Sequence, residues 1–494
     1  MPFVANFPFF CILITMAGGI VTAMLNGKWA YRVNTVIMTA TLVLNGALLL
    51  FMINDPQHIT YMMGHFPAPW GNEIRFGPLE ALMATVFSFV TLAALISGKT
   101  EIFEDVKSQN VHYFYVMINL LLSSLFALIY TNDLFTAYVF VEINTISACA
   151  IVMAKESGKT LAATLRYLIM SLLGSGLFLL SIVLTYAVTG NLLMVPVHDS
   201  IAKIFAAGQY HIPLTVTLGL ICVGMAIKSA LFPFHTWLSH AHGSATTASS
   251  AILSGLVLKG YIILLIKIIV RVFGIDTVVQ LKALNILFVF AVLAMIVGSI
   301  DAIRENHIKR MIAFSSVAQM GYIYIGISLG NTVGLVAACF HIIVHALTKP
   351  MLFSAAGGLS SACHHKKQFD DLKGAAYKNP LAAFAFLIGS FSMIGIPFFA
   401  GFAAKYYLSV AAMGTGVKMW ITLFALAIST VLNAVYYIKA VTVIFTKDET
   451  KEYPQHKNSA SYIIGMLMFI VTNILLGLFY KPVADIIVKG IELL

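Results

Sequence analysis

Apolar runs of roughly membrane-crossing length follow one another along the whole chain, separated by short polar stretches. A spanning helix needs about 20 apolar residues. Fourteen such segments can be drawn, at 5–26, 33–53, 78–98, 112–130, 133–153, 162–189, 213–240, 248–270, 281–300, 308–330, 333–358, 381–412, 417–445 and 460–485. The stretches between them are too short for a soluble domain, so the pattern predicts an all-α polytopic membrane protein. Two segments are interrupted. The seventh reads GMAIKSALFPFHTWL, with Pro233 five residues after Lys228, and the twelfth reads SMIGIPFFAGFAAKYYL, with Pro397 eight residues before Lys405. Proline removes a backbone donor, and within a bilayer such a break persists only where protein or a water-filled cavity satisfies the freed groups. Segments four to eight and nine to thirteen then form two groups of five, each with its broken, lysine-bearing helix in fourth place. Five is odd, so the second group enters from the opposite side, as in an inverted repeat. The expected organisation is an N-terminal three-helix segment at 1–110, a first repeat at 111–272, an inverted second repeat at 273–446 and a C-terminal helix at 447–494.

Composition supports the membrane reading: 60% of the 494 residues are hydrophobic and 10% charged, against about 25% charged in a soluble domain. The excess of Lys and Arg over acids, 30 to 20, does not point to nucleic acid, because the basic residues gather in alternate loops. The loops at 27–32, 98–111, 154–166, 301–310, 359–380 and 447–460 hold 17 of them and those on the other side 7. The positive-inside rule makes the first set cytoplasmic and turns both termini outward. The start, MPFVANFPFFCILITMAGGI, lacks a basic leader and reads as a retained helix rather than a signal peptide. Cys11, Cys149, Cys222, Cys339 and Cys363 are scattered without a CxxC pair, which argues against a disulfide framework or a zinc site.

The remaining six lysines, Lys228, Lys259, Lys267, Lys349, Lys405 and Lys439, lie inside apolar segments, with Glu142 as the comparably deep acid. A lysine at the bilayer centre costs at least about 2.5–3.5 kcal/mol, so such residues usually serve ion movement. Glu142 and Lys228, brought together in a dry interior, would stabilise each other's charge. A lysine whose proton affinity follows its counter-ion is a loadable carrier, and the competing reading is a static pair that fixes helix packing. Lys259 is the next carrier in line and Lys405, beyond the second break, the terminal one. Lys267 and Lys439 sit near helix ends and read as snorkelling. His341, His345 and Lys349 recur every four residues and share one helix face. Histidine relays protons near neutral pH, and without an acid or cysteine in the HIIVHALTK run that carries it, the pair does not read as a metal site. His235, His240 and His242 stand in a segment rich in small hydroxylated residues, which suits water, a cation or a tight turn. Glu80 begins the third segment, at the expected interface. CHHKK at 363–367 falls in the most basic loop and reads as a solvated topology signal. No phosphate loop, dinucleotide fingerprint or haem motif is present, so no cofactor is expected and the energy must come from an ion gradient or from partner subunits.

Several of these segments together resemble the antiporter-like family. It comprises the large membrane-arm subunits of complex I, the A-type and D-type subunits of Mrp Na+/H+ antiporters, and membrane subunits of group 4 hydrogenases and formate hydrogenlyase. IKSALFPFHTWL is similar to the family's lysine–Pro-Phe-His–Trp-Leu segment and SSAILSGLVLKGYI to that around its second lysine. NHIKRMIAFSSVAQMGYI resembles a shared run, with Phe314 where the family has Tyr, and HIIVHALTKPMLF resembles its HxxxHxxxK helix. The resemblance covers roughly 75–450. It implies a coupling pair at Glu142 and Lys228, a central carrier at Lys259, a relay at His345 and a terminal residue at Lys405. The chain departs from the pattern at Ser239-His240, where Pro-Asp is common, at Ala245-Thr246, where Ala-Pro is common, and at Glu80, where Asp is common. The missing acid counts against an ion-uptake role for that loop, and the lack of a long lateral C-terminal helix counts against the largest complex I subunit.

The resulting expectation is a proton-translocating membrane subunit, with Na+ left open as the ion, of a redox-driven complex such as a complex I-like oxidoreductase or a membrane-bound hydrogenase. The D-type component of a multisubunit Mrp Na+/H+ antiporter, or a self-contained secondary antiporter, is the alternative. The chain would be part of an enzyme only as a subunit of an ion-translocating oxidoreductase. Its partners would be further antiporter-like and small membrane subunits, a peripheral redox module and the lipid of the inner (cytoplasmic) membrane.

Overall fold

A computed structural model describes residues 3–67, 70–447 and 453–494; Lys451 of the last basic loop lies outside them. Among the described residues thirteen helices are long and apolar enough to cross a membrane. The twelfth segment completes the expected fourteen as two shorter helices, Pro380–Ile394 and Ala400–Ala412. Several spans begin at the polar residue that the sequence supplies just before the apolar run. Asp133 accepts from the Thr136 amide at 2.6 Å, Asn331 from the Gly334 amide at 2.6 Å, and Ser459 from the Tyr462 amide at 3.3 Å. Each satisfies one of the four free amides of a helix start.

Burial sorts the spans into a centre and a rim. The eighth span, Thr247–Phe273, and the eleventh, Thr332–Ala362, are buried throughout their most apolar stretch, whereas the second, Gly27–Asn54, is only 28% buried there. A membrane helix buried on all sides has protein rather than lipid around it, so polar groups on it can find partners. The eighth and eleventh spans carry Lys259 and Lys349, and the tenth, Ile308–Ser328, packs against the eleventh.

The seventh segment runs as a helix over His211–Lys228, breaks, and resumes over Thr236–Ser244. It lies unusually close to the sixth span, Gly158–Thr189. A Cβ on Gly174 would stand 2.8 Å from the Gly224 carbonyl oxygen, and one on Gly224 2.7 Å from that of Gly174. Paired glycines of this kind let two membrane helices approach backbone to backbone, and here they press Lys228 against the sixth span. The eighth span is not uniformly α-helical: Leu253–Val257 and Ile268–Phe273 are wide π-type turns. Nothing in the hydrophobic periodicity signals them.

Other departures are local. The loop after the second span holds a small antiparallel hairpin, Ile59–Met62 with Glu73–Phe76, in the register Ile59 to Phe76. The last span ends at Leu478, short of the expected 485, and a separate helix, Tyr480–Glu492, follows. Ala484, Ile487 and Ile491 make its buried face, which packs on the third span, Pro78–Ser97.

Glu80 is not at an interface. It is 1% exposed, deeper than the half-buried Glu142. One carboxylate oxygen meets the Arg271 guanidinium at 2.6 Å and the other accepts from the Gly77 amide at 3.0 Å, while Arg271 Nε donates to the Leu494 carbonyl at 2.7 Å. This ion pair joins the third span, the end of the eighth and the terminal helix. Removing one partner of a buried pair strands the other's charge and costs about 3–5 kcal/mol, whereas replacing both with apolar residues costs far less. Glu80→Leu or Arg271→Met alone should therefore lower the unfolding midpoint of the purified protein in detergent sharply, and the double variant should recover most of that loss. Additive losses would show that the pair does not act as a unit.

Candidate functional site

The first lysine of the interior is held by hydroxyls. Lys228 ends its half-helix fully buried, and its ammonium donates to Thr145 Oγ1 at 2.8 Å and Ser171 Oγ at 3.0 Å. The Tyr261 ring lies 5.1 Å from Nζ, and the Tyr261 hydroxyl donates to Asn144 Oδ1 at 2.9 Å. The direct ion pair expected with Glu142 is absent among the described residues. Thr145 lies one turn along the same helix from Glu142, and the lysine docks at that turn rather than on the carboxylate. Glu142 Oε1 takes no hydrogen bond among the described residues.

Lys259 is fully buried directly after the first π-type turn. Its ammonium donates to the main-chain carbonyl of Ser254, within that turn. Such a turn shifts the helical ladder, and here it presents a carbonyl to a side chain. Ser254 Oγ lies 3.3 Å from Ser316 Oγ on the tenth span, whose hydroxyl donates to the Ile312 carbonyl at 3.1 Å. Lys349 reaches that same carbonyl at 3.0 Å, and also Ser315 Oγ at 2.8 Å and the Tyr437 hydroxyl at 3.2 Å. Lys349 thus docks directly on one turn of the tenth span, and Lys259 is joined to the same turn through Ser254.

From Lys349 a chain of polar groups leads to Lys405. The Tyr436 hydroxyl lies 2.9 Å from Ser315 Oγ and 2.7 Å from Asn433 Oδ1. Asn433 Nδ2 donates to the Tyr322 hydroxyl at 3.2 Å, which donates to Ser429 Oγ at 2.9 Å. The Lys405 ammonium stands 5.3 Å from the Tyr322 ring centre and donates to Thr430 Oγ1 at 2.9 Å and the Ile394 carbonyl at 2.6 Å. That carbonyl is at the end of the first half-helix, where Gly395, at φ +90°, turns the chain away. Lys405 is half-buried, unlike the three lysines before it.

The expected stripe on the eleventh span is buried along its length, but its members face different partners. His341 Nε2 lies 2.9 Å from Gln319 Oε1, and its ring stacks on Tyr322 at 5.4 Å. His345 bonds to no protein group among the described residues at either nitrogen, within electrostatic reach of Lys259, Lys349 and His242. His242 stacks on Phe353 at 4.5 Å.

Two lysine assignments separate. Lys439 is exposed, its ammonium 5.8 Å from the Phe369 ring centre, in keeping with snorkelling. Lys267 does not snorkel: it is fully buried and donates to the Ile129 and Thr131 carbonyls at 2.6 Å each, closing the end of the fourth span, Val111–Tyr130. A cation belongs at such a carbonyl-rich terminus. In the loop that lacks the family's acid, His235 Nε2 finds Asp301 at 3.3 Å, brought in by the ninth span, Ala283–Arg304, and His240 faces Arg166 at 3.1 Å. Within CHHKK, His364 and His365 are exposed and Lys366 pairs with Asp371 at 2.9 Å.

The lysine-centred reading of the sequence passes over Ser315, Tyr322, Ser429, Thr430, Asn433, Tyr436 and Tyr437. For Ser429, Thr430, Asn433, Tyr436 and Tyr437 the signal is present in ISTVLNAVYYIKA, where polar groups recur every three or four residues on one face of an apolar helix.

Comparison with known proteins places this arrangement in a family. The model of the NADH:quinone oxidoreductase/Mrp antiporter transmembrane family matches residues 131–433. The NADH-quinone oxidoreductase subunit N of Desulforudis audaxviator (strain MP104C) is 31% identical over 449 residues, covering 87% of this chain and 86% of that protein. Among solved structures, the fold matches a chain of an archaeal membrane-bound sulfane sulfur reductase with a TM-score of 0.87 at 24% identity, over 99% of this chain and 97% of that one. It matches a chain of the Mrp complex from Dietzia sp. DQ12-45-1b with a TM-score of 0.87 at 23% identity, over 100% and 97%. The chain, a multi-pass membrane protein with a row of lysines in its interior, belongs to the NADH:quinone oxidoreductase/Mrp antiporter family.

Proposed function

We propose that the protein is a proton-translocating antiporter-like subunit of a redox-driven membrane complex. The observation that carries this reading is the polar chain from Lys349 through Ser315, Tyr436, Asn433 and Tyr322 to the surroundings of Lys405. In an apolar interior a connected set of hydroxyls and ammonium groups allows charge to move, and its cost argues against packing as its sole role. Lys228, docked one helical turn from Glu142, is the first carrier; Lys259 is the central one; the stripe of His341, His345 and Lys349 links it towards Lys405; and Lys405 exchanges with one side of the membrane. The Asn433 carboxamide does not pass a proton as a hydroxyl does, so that step couples the two sides through orientation and charge. The Desulforudis relative, an NADH-quinone oxidoreductase component, supports a respiratory setting with further membrane subunits and a peripheral redox module. The ion is written as a proton because lysine, histidine and tyrosine line the path; Na+ would want carboxylate or carbonyl oxygens in number.

The same reading makes 111–272 and 273–446 inverted repeats, with 1–110 and 447–494 as flanking helices, and sets the basic loops in the cytoplasm with both termini outside the inner membrane. The two broken helices and the unequal loop charge support it. A Mrp-type antiporter component is the second reading, favoured by the equal TM-score of the Dietzia chain.

Lys228→Ala and Lys405→Ala should each abolish proton pumping by membrane vesicles, followed with a pH-sensitive dye, while the complex still assembles on native gels; normal pumping in both would overturn the reading. Tyr322→Phe keeps the ring over which Lys405 stands and removes one hydroxyl. Pumping should fall about 100-fold, the low end of what a positioned proton-transfer group contributes, and an unchanged rate would remove Tyr322 from the path. The purified single chain in liposomes should show no cation-driven proton flux, and such flux would favour a self-contained secondary antiporter.

A further inference from the structure

Two cavities lie one after the other along the sixth span, the first reaching Arg166 and the second starting one turn on at Ile169. The upper one, about 640 Å³, is lined at the basic end of the molecule by Lys159, Arg166, His240, Arg310 and Lys367 among others, and by no carboxylate among the described residues. Of the acids near it, Asp105 pairs with Lys155 at 2.6 Å, Glu156 with Lys107 at 2.6 Å and Glu305 with Arg310 at 3.0 Å, while Glu101, outside the lining, lies within electrostatic reach of Lys367. Among the described residues Lys159, Arg166 and Lys367 have no carboxylate partner within 4.0 Å. His307 in the wall is pushed down to about 4, by burial first and then by Lys367, Lys309 and Arg310.

The lower cavity, about 670 Å³, is almost wholly apolar. Ile169, Leu173, Gly176 and Leu177 of the sixth span form one side, and Val223 and Phe234, flanking the break of the seventh, form the other. Arg166, Ile169, Leu173 and Leu177 recur at helical spacing, so one face of one helix carries the charge above and the groove below. From Arg166 to Leu177 the helix rises roughly 16 Å, about half of the roughly 30 Å hydrocarbon core and so one leaflet. Leu165, Ile169, Leu172 and Leu173 are exposed, so the groove opens sideways.

We infer that this face is a binding site for an acidic phospholipid, whose phosphate headgroup is held by Lys159, Arg166 and Lys367 and whose acyl chain lies in the groove over the broken seventh helix. A free anion would use the basic pocket but not the groove, and a zwitterionic lipid the groove but not the excess charge. The groove and the pocket together fit only a lipid of net negative charge. Its position follows from the break itself, which opens the space between the sixth span and Phe234. Ile227, next to Lys228, is also part of the groove wall, so the lipid covers the outer side of the helix that bears the first lysine.

Native mass spectrometry of the full chain in detergent tests this, with phosphatidylglycerol and phosphatidylcholine of matched chains. Phosphatidylglycerol should be retained preferentially. Each cation near a membrane surface is worth about 1 kcal/mol, roughly fivefold in affinity. The variant Lys159→Ala/Arg166→Ala/Lys367→Ala should therefore lose the preference almost entirely. A Cβ on Gly176 would meet nothing within 4 Å and the residue lines the groove, so the side chain of Gly176→Trp would project into the groove; it should weaken phosphatidylglycerol binding with the three cations intact. Unchanged retention by the triple variant would overturn the proposal. So would displacement of the lipid by millimolar glycerol 3-phosphate together with no effect of Gly176→Trp, which would identify a free-anion site.

Discussion

The structure depends on holding ammonium groups inside a hydrocarbon-facing bundle without carboxylates. Lys228, Lys259, Lys349 and Lys405 form no ion pair among the described residues. Hydroxyls, main-chain carbonyls and tyrosine rings stand in for water around them. An ion pair would have fixed each charge in place. Neutral dipoles leave it responsive to the next charge along, because in a low-dielectric interior interacting sites titrate together rather than singly. This is the condition for a charge change at one lysine to be felt at another.

Supplying those dipoles shapes the backbone. A regular helix engages most of its carbonyls: Lys349 shares that of Ile312 within the tenth span, but a carbonyl for Lys405 comes from the open end of a broken helix, and one for Lys259 from a π-type turn. The close approach of Gly174 and Gly224 then brings Ser171 within reach of Lys228. Breaks, wide turns and glycine contacts, each unfavourable for a plain membrane helix, occur beside the lysines. The eighth and eleventh spans are buried on every side because their polar groups must find protein rather than lipid.

The spans and both broken helices were legible in the sequence, because a bilayer imposes a length on apolar runs and proline interrupts them. Glu142, Lys228, Lys259, His341, His345, Lys349 and Lys405 were legible as candidates because polar residues are conspicuous there. Their partners were not. Hydroxyls such as Ser315 and Ser171 are common in membrane helices, where they bond their own backbone, and only packing reveals which have turned to a lysine. The depth of Glu80 was hidden for a related reason. Arg271 lies 191 residues away, and a helix's first turn reads as an interface until something covers it.

Lys267 shows why the kind of partner matters more than burial. It is as buried as Lys228, yet the hydrogen-bond acceptors around it are main-chain carbonyls of Leu128, Ile129 and Thr131. A carbonyl only accepts. If the ammonium gave up a proton, one of these oxygens would lose a donor and the amine's lone pair would gain none, so the acceptors around it match the ammonium form alone. Lys228 faces Thr145 and Ser171, whose hydroxyls can either accept from the ammonium or rotate to donate to the neutral amine. Lys349 and Lys405 each combine a carbonyl with at least one hydroxyl. The carbonyl anchors the nitrogen and the hydroxyl follows the proton. A lysine lined by hydroxyls can therefore be satisfied in both states without moving the backbone, and that property sets Lys228, Lys349 and Lys405 apart from Lys267, whereas Lys259, bonded to the Ser254 carbonyl, lacks it.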